Sequence, residues 1–94
     1  MKLSEQIKEY CTLNNLRCTD KRLMLAEFLQ NAGQADADGL YMRFRSNAIR
    51  ISPATIYQIL DWMVQKGFVE RVEGGPRNLY CIRQAHLSQA QNEK

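Results

Sequence analysis

At Gly67 the chain changes period, and that change constrains its fold more than any other feature. Before it, Ile56, Leu60, Met63 and Val64 recur at three- and four-residue spacing, with Ile59 nearby, and so form one apolar face of a helix. After it, Phe68-Val69-Glu70-Arg71-Val72 and Asn78-Leu79-Tyr80-Cys81-Ile82 alternate as strands do, with Gly74-Gly75-Pro76 as the turn between them. The helix has an equally clear start. Ser52 is a predicted N-cap, and Pro53 follows at the first helical position, where its missing N–H has no partner to lose.

Three more helices are predicted upstream. Ser4 caps the first, which runs to about Asn14 with Ile7, Tyr10 and Cys11 on one face. Thr19 caps the second, whose broad stripe of Leu23, Leu25, Ala26, Phe28 and Leu29 ends at Gly33. Asp36 caps the third, with Leu40, Tyr41 and Phe44 inward and Arg43 and Arg45 near its C-terminal end, where cations suit the helix dipole. The order is mainly α with a small β-hairpin: four helices, then a two-stranded wing. That is the winged helix-turn-helix arrangement, in which the helix before the hairpin enters the DNA major groove. With 94 residues, 45% of them apolar or aromatic, one modest core is affordable, so residues 1–84 are expected to form one domain. Residues 85–94 are expected to be a polar, flexible tail.

The formal charge of +3 is too small to identify a nucleic-acid partner by itself. Eight of the thirteen cations are arginine, the side chain suited to forked phosphate and base-edge contacts. Arg43, Arg45 and Arg50 either extend a basic surface or only solubilise the third helix, and the sequence leaves both open. The N-terminus has no signal-like apolar run, and no apolar stretch reaches membrane-spanning length, so a cytoplasmic protein with no membrane partner is expected. Cys11, Cys18 and Cys81 are odd in number and lack CxxC spacing, which fits reduced thiols, two of them in the core. Trp62 is expected to be a partly buried packing residue, with an exposed interaction anchor as the alternative. Asp61 and Glu70 have no catalytic spacing, and no nucleophile or phosphate-loop pattern appears, so the chain is not expected to be an enzyme.

Ser52, Thr55, Tyr57 and Gln58 cluster on the exposed first half of the fourth helix, which marks them as candidate groove residues. Four segments then carry a family resemblance: LRCTDKRLMLAEFL (16–29), DADGLYMRFR (36–45), ISPATIYQILDWMVQKGFVERVEGG (51–75) and NLYCI (78–82). In this order they resemble the DNA-binding domain of the ferric uptake regulator (Fur) family of bacterial repressors. The resemblance implies sequence-specific binding of double-stranded DNA in transcription regulation. It places Arg17 where a basic side chain reaches the minor groove, and Thr19 and Arg22 on a T-x-x-R motif beside the phosphate backbone. Thr55 and Tyr57 fall on the recognition-helix positions. Arg71 and Arg77, flanking the hairpin turn, are where a wing would lie along phosphates.

Departures from the family pattern qualify these expectations. Gln58 stands where the family usually has arginine, which removes a cation but leaves an amide able to pair with an adenine edge. Gln34 replaces a frequent histidine, and Cys81 stands where the family has a metal-binding glutamate. The histidine-rich and C-x-x-C segments of the family's second domain are not in this sequence. A zinc site from Cys81, His86 and Cys11 or Cys18 has suitable donors, but its spacings are unlike compact zinc knuckles, so no cofactor is expected. His86 is read as a surface histidine of the tail. Expected partners are DNA and a second copy of the chain, the latter forming a homodimer in solution or only on DNA. A winged-helix module that binds and modulates a partner regulator remains the alternative, with a thiol or metal sensor a third possibility.

Overall fold

Helix starts in this chain are set by side chains three residues upstream of the amide they accept. Thr19 Oγ1 accepts from Arg22 N at 3.3 Å, Asp36 Oδ1 from Gly39 N at 2.7 Å and Ser52 Oγ from Thr55 N at 3.1 Å. Each such cap contributes about 1 kcal/mol to helix stability. The computed structural model describes residues 2–73, 75 and 78–83. Its elements are α1 (Leu3–Leu13), α2 (Asp20–Ala32), β1 (Gln34–Ala35), α3 (Ala37–Ser46), α4 (Pro53–Gln65), β2 (Val69–Val72) and β3 (Leu79–Ile82).

The start of α1 differs from expectation. Lys2, not Ser4, is the N-cap, and Ser4 is buried. Two side chains take up the free amides there: Glu5 Oε1 accepts from Lys2 N at 3.4 Å, and Gln30 Oε1 of α2 accepts from Leu3 N at 2.8 Å. Packing on α2 therefore starts the helix earlier than its own local signals would.

Three helices stop in one way. At the ends of α1, α3 and α4 the backbone turns left-handed at Asn15 (φ 57°), Ala48 (φ 58°) and Gly67 (φ 83°). In each case the next amide reaches back five residues: Leu16 N to Cys11 O, Ile49 N to Phe44 O and Phe68 N to Met63 O, at 2.8, 2.9 and 2.9 Å. This is the Schellman closure, which satisfies the carbonyls a helix end leaves open. Glycine takes that conformation freely at 67, whereas alanine at 48 holds it at a steric cost.

The strands form one antiparallel sheet in the order β1-β3-β2. β2 and β3 are the expected wing, each shorter by one residue at its start than predicted, and register pairs Val69 with Ile82 and Val72 with Leu79. The wing is two-stranded as expected, but its sheet is larger than expected: β1, unforeseen in the sequence, adds a third strand and pairs Gln34 with Cys81 and Ala35 with Tyr80. Apart from Gly75, the predicted turn at 74–76 lies outside the described residues, as do Arg77 and the predicted tail.

Every helix contributes to one core: Leu3, Ile7 and Cys11; Leu25 and Leu29; Leu40 and Phe44; and Ile56, Leu60 and Met63, closed from the sheet by Val69 and Tyr80. Burying each large side chain contributes about 1.5–3 kcal/mol. Only Cys11 among the thiols is in this core; Cys18 and Cys81 are half-buried, which corrects the expectation of two. Tyr80 fills the inward position of β3, so alternation turns its neighbour Cys81 to the other face. No described helix is long and apolar enough to cross a membrane.

Candidate nucleic-acid interface

The first turn of α4 is held by a pair of hydroxyls. Besides capping the Thr55 amide, Ser52 Oγ lies 2.9 Å from Thr55 Oγ1, so one hydroxyl donates to the other. Beyond this pair, Tyr57 is 49% exposed and Gln58 is exposed, both on the polar side of a helix whose other side is core. A phenol ring left half in solvent supplies apolar contact and one hydroxyl to whatever docks there.

The N-terminus of α2 lies against this face. Thr19, Asp20, Lys21 and Arg22 from α2, with Thr55, Gln58 and Ile59 from α4, line a cleft of about 420 Å³. Two sets of candidates widely separated in sequence are thereby brought together. The helix dipole of α2 gives the cleft a positive end, which Lys21 reinforces and Asp20 partly offsets.

Arg22 ties these parts to each other. Its guanidinium stacks 4.0 Å from the centre of the Trp62 ring on α4, and its Nη1 donates to the Arg17 carbonyl at 3.3 Å. The cation–π contact contributes about 0.5–2 kcal/mol. Nε is buried without a hydrogen-bond partner, a cost of about 1–3 kcal/mol that the stack helps offset. Arg22 therefore holds the loop that carries Arg17 as well as facing the cleft. The sequence offers Trp62 as a packing residue or an interaction anchor; its place as the platform for Arg22 depends on a contact between residues forty positions apart. Trp62 in turn belongs to an aromatic cluster with Tyr10 and Phe68, with ring centroids 5.6 to 6.0 Å apart.

Arg17 is exposed in the connector between α1 and α2. Next to it, burial and the hydrogen-bonded Cys11 thiol push the Cys18 thiol above its ordinary pKa, while Arg22 and Lys8 pull it down. Arg71 lies on β2, away from the cleft lining, with its Nε 3.0 Å from Glu73 Oε2. Arg77 lies outside the described residues.

The sheet also brings together Gln34, where the resemblance places a histidine, and Cys81, where it places a metal-binding glutamate. Gln34 and Cys81 are direct cross-strand partners, and Cys81 has Glu70 opposite on its other side. An amide and one thiol are a poor donor pair for a divalent ion, and among the described residues no three His, Cys, Asp or Glu side chains are grouped to hold one. His86 lies outside the described residues.

Comparison with known proteins bears on the family and the fold. The model of the ferric uptake regulator family matches residues 13–90. The zinc uptake regulation protein of Escherichia coli (strain K12) is 29% identical over 80 residues, covering 84% of this chain and 47% of that protein. The chain thus spans about half the length of the curated relatives it matches. Among solved structures, the ferric uptake regulator of Vibrio cholerae, described for a rearrangement of its DNA-binding domains, has a TM-score of 0.70. It is 27% identical, with 83% of this chain and 62% of that one covered. The peroxide sensor PerR of Streptococcus pyogenes, at 24% identity, shares the fold with a TM-score of 0.75 over 87% of this chain and 58% of that one.

Proposed function

Because the chain belongs to the ferric uptake regulator family, whose members are transcription regulators and not enzymes, we propose that it reads double-stranded DNA sequence-specifically as a winged helix. In this mechanism α4 enters the major groove. The Tyr57 ring packs on thymine methyl groups, Thr55 supports it through the Ser52 hydroxyl pair, and the Gln58 amide pairs with an adenine edge. Arg17 reaches the minor groove from the loop that Arg22 holds, and the first turn of α2, with Thr19 and Arg22, lies against the phosphate backbone. Arg71 and Arg77 carry backbone contacts from the wing.

The observation that supports this most is the meeting of the α2 N-terminus with the exposed Thr55–Gln58 side of α4 around one cleft. It joins an anion-attracting helix end to a side-chain set able to read base edges. One such module makes few contacts, so tight binding requires two copies on related half-sites.

Selection of duplexes from a random pool tests the proposal. The wild-type chain is expected to enrich a repeated half-site, and Tyr57→Ala to bind it about 10- to 100-fold more weakly, as loss of one good base contact implies. Gln58→Arg is expected to shift the enriched bases at one position of each half-site. If the wild type enriches nothing, yet captures a partner regulator with an affinity indifferent to salt, the chain is instead a protein-interaction module.

A further inference from the structure

Cations and acids are unevenly spread along this chain. Between residues 39 and 60 there are three arginines, Arg43, Arg45 and Arg50, and no acid, which leaves ten cations against ten acids elsewhere. That stretch takes in α3 from Gly39 on, the turn and α4 as far as Leu60; Asp36 and Asp38 lie just before it at the start of α3, and Asp61 just after it. Its three arginines are not equivalent. Arg43 and Arg45 are two residues apart on a helix, so they point to nearly opposite sides. Arg45 and Arg50 instead line one notch of about 260 Å³ with Tyr41, Ala48, Ile49 and Ile51, and Arg43 is not part of it.

The notch is formed by the backbone. The Schellman closure after α3 folds the chain back so that Arg50 stands beside the last turn of α3, and the Arg45 guanidinium lies 5.9 Å from the centre of the Tyr41 ring one turn earlier. A helix C-terminus ordinarily repels anions. Here its carbonyls are already occupied: Arg43 O accepts from Asn47 Nδ2 at 2.8 Å, Phe44 O from Ile49 N and Arg45 O from Ala48 N. Two arginines thus converge on a concave site with its negative dipole muted, next to the residues that lead into Ser52.

We infer that this notch seats a backbone phosphate of the duplex, with Arg45 and Arg50 as its cationic walls and the Tyr41 hydroxyl available as a third donor. The inference rests on the DNA-binding function proposed above. It extends the footprint beyond α4 to the C-terminal end of α3, on phosphates rather than bases, so it adds affinity without sequence preference.

The salt dependence of binding to a random-sequence duplex, followed by fluorescence anisotropy, tests it. Wild type, the double variant Arg45→Gln/Arg50→Gln and Arg43→Gln are compared after thermal melting shows that all three fold. The double variant is expected to have a log K against log salt slope shallower by about 0.9 for the phosphate it no longer neutralises. Over a fourfold rise in salt it then loses about 3.5-fold less affinity than wild type does. Arg43→Gln is expected to match wild type. A double variant with the wild-type slope overturns the notch while leaving DNA binding intact, and so does Arg43→Gln lowering the slope as much as the double variant. A wild-type chain that binds no duplex overturns the proposed function and this site with it.

Discussion

Arg45 and Arg50 stand in a segment that contains no acid, whereas Arg71 and Arg83 on the wing each face a glutamate, with closest approaches of 3.0 and 3.6 Å to Glu73 and Glu70. The helix-turn-helix also has capped starts at Asp36 and Ser52 and a closed turn at 47–49. A rigid polyanion is best met by a surface that keeps its shape and leaves its cations unneutralised, because neither ordering nor breaking ion pairs then opposes binding. The wing cations are exposed and internally paired, so releasing them costs little, about 0–1 kcal/mol, but their field is already partly cancelled. Under the DNA-binding function proposed above, the contrast favours the helix-turn-helix as the main contact and the wing as an accessory one.

Four substitutions probe that contrast. Trp62→Ala removes the platform under Arg22 and opens the aromatic cluster; as a half-buried residue it is expected to lower unfolding free energy by about 2 to 3 kcal/mol, short of the larger loss for a fully buried ring. Duplex affinity should fall with it, and a stable Trp62→Ala variant that binds normally would show that Arg22 needs no platform. Ser52→Ala is expected to cost about 1 kcal/mol, seen as a lower denaturant midpoint at unchanged slope, since one cap is lost and the core is untouched.

Ala48→Gly should act in the opposite direction. Glycine relieves the left-handed strain at φ 58° while loosening the unfolded chain, for a net gain of about 0.5 to 1 kcal/mol in thermal unfolding. If the variant is less stable, the turn is not strained as described. Glu73→Gln has the smallest expected effect on folding, a few tenths of a kcal/mol. It should nonetheless steepen the salt dependence of DNA binding by up to about 0.9 as Arg71 becomes free for a phosphate. No change there would remove the wing from the phosphate footprint.

What the sequence made legible was local. Thr19, Asp36 and Ser52 cap their helices because a cap is a bond across three residues, and Gly33 and Gly67 stop theirs because a positive φ is a property of one residue. What escaped it was set from a distance. Gln30 reaches Leu3 across 27 positions and moves the start of α1 ahead of Ser4. Gln34 and Ala35 become a strand only because β3 lies beside them, and two residues carry no period to detect. The exposure of Tyr57 and Gln58 on α4 was readable from their position after Ser52-Pro53, whereas the stack of Arg22 on Trp62 and the approach of Arg45 to Arg50 required the fold to bring them together.

The stack of Arg22 on Trp62 has a practical consequence. Trp62 is the sole tryptophan of the chain, and a guanidinium lies against its face at the edge of the proposed contact surface. Any event that shifts Arg22 alters the polarity around that indole, so intrinsic emission becomes an optical readout of the interface. The protein carries its own fluorophore, placed where occupancy would register without a label.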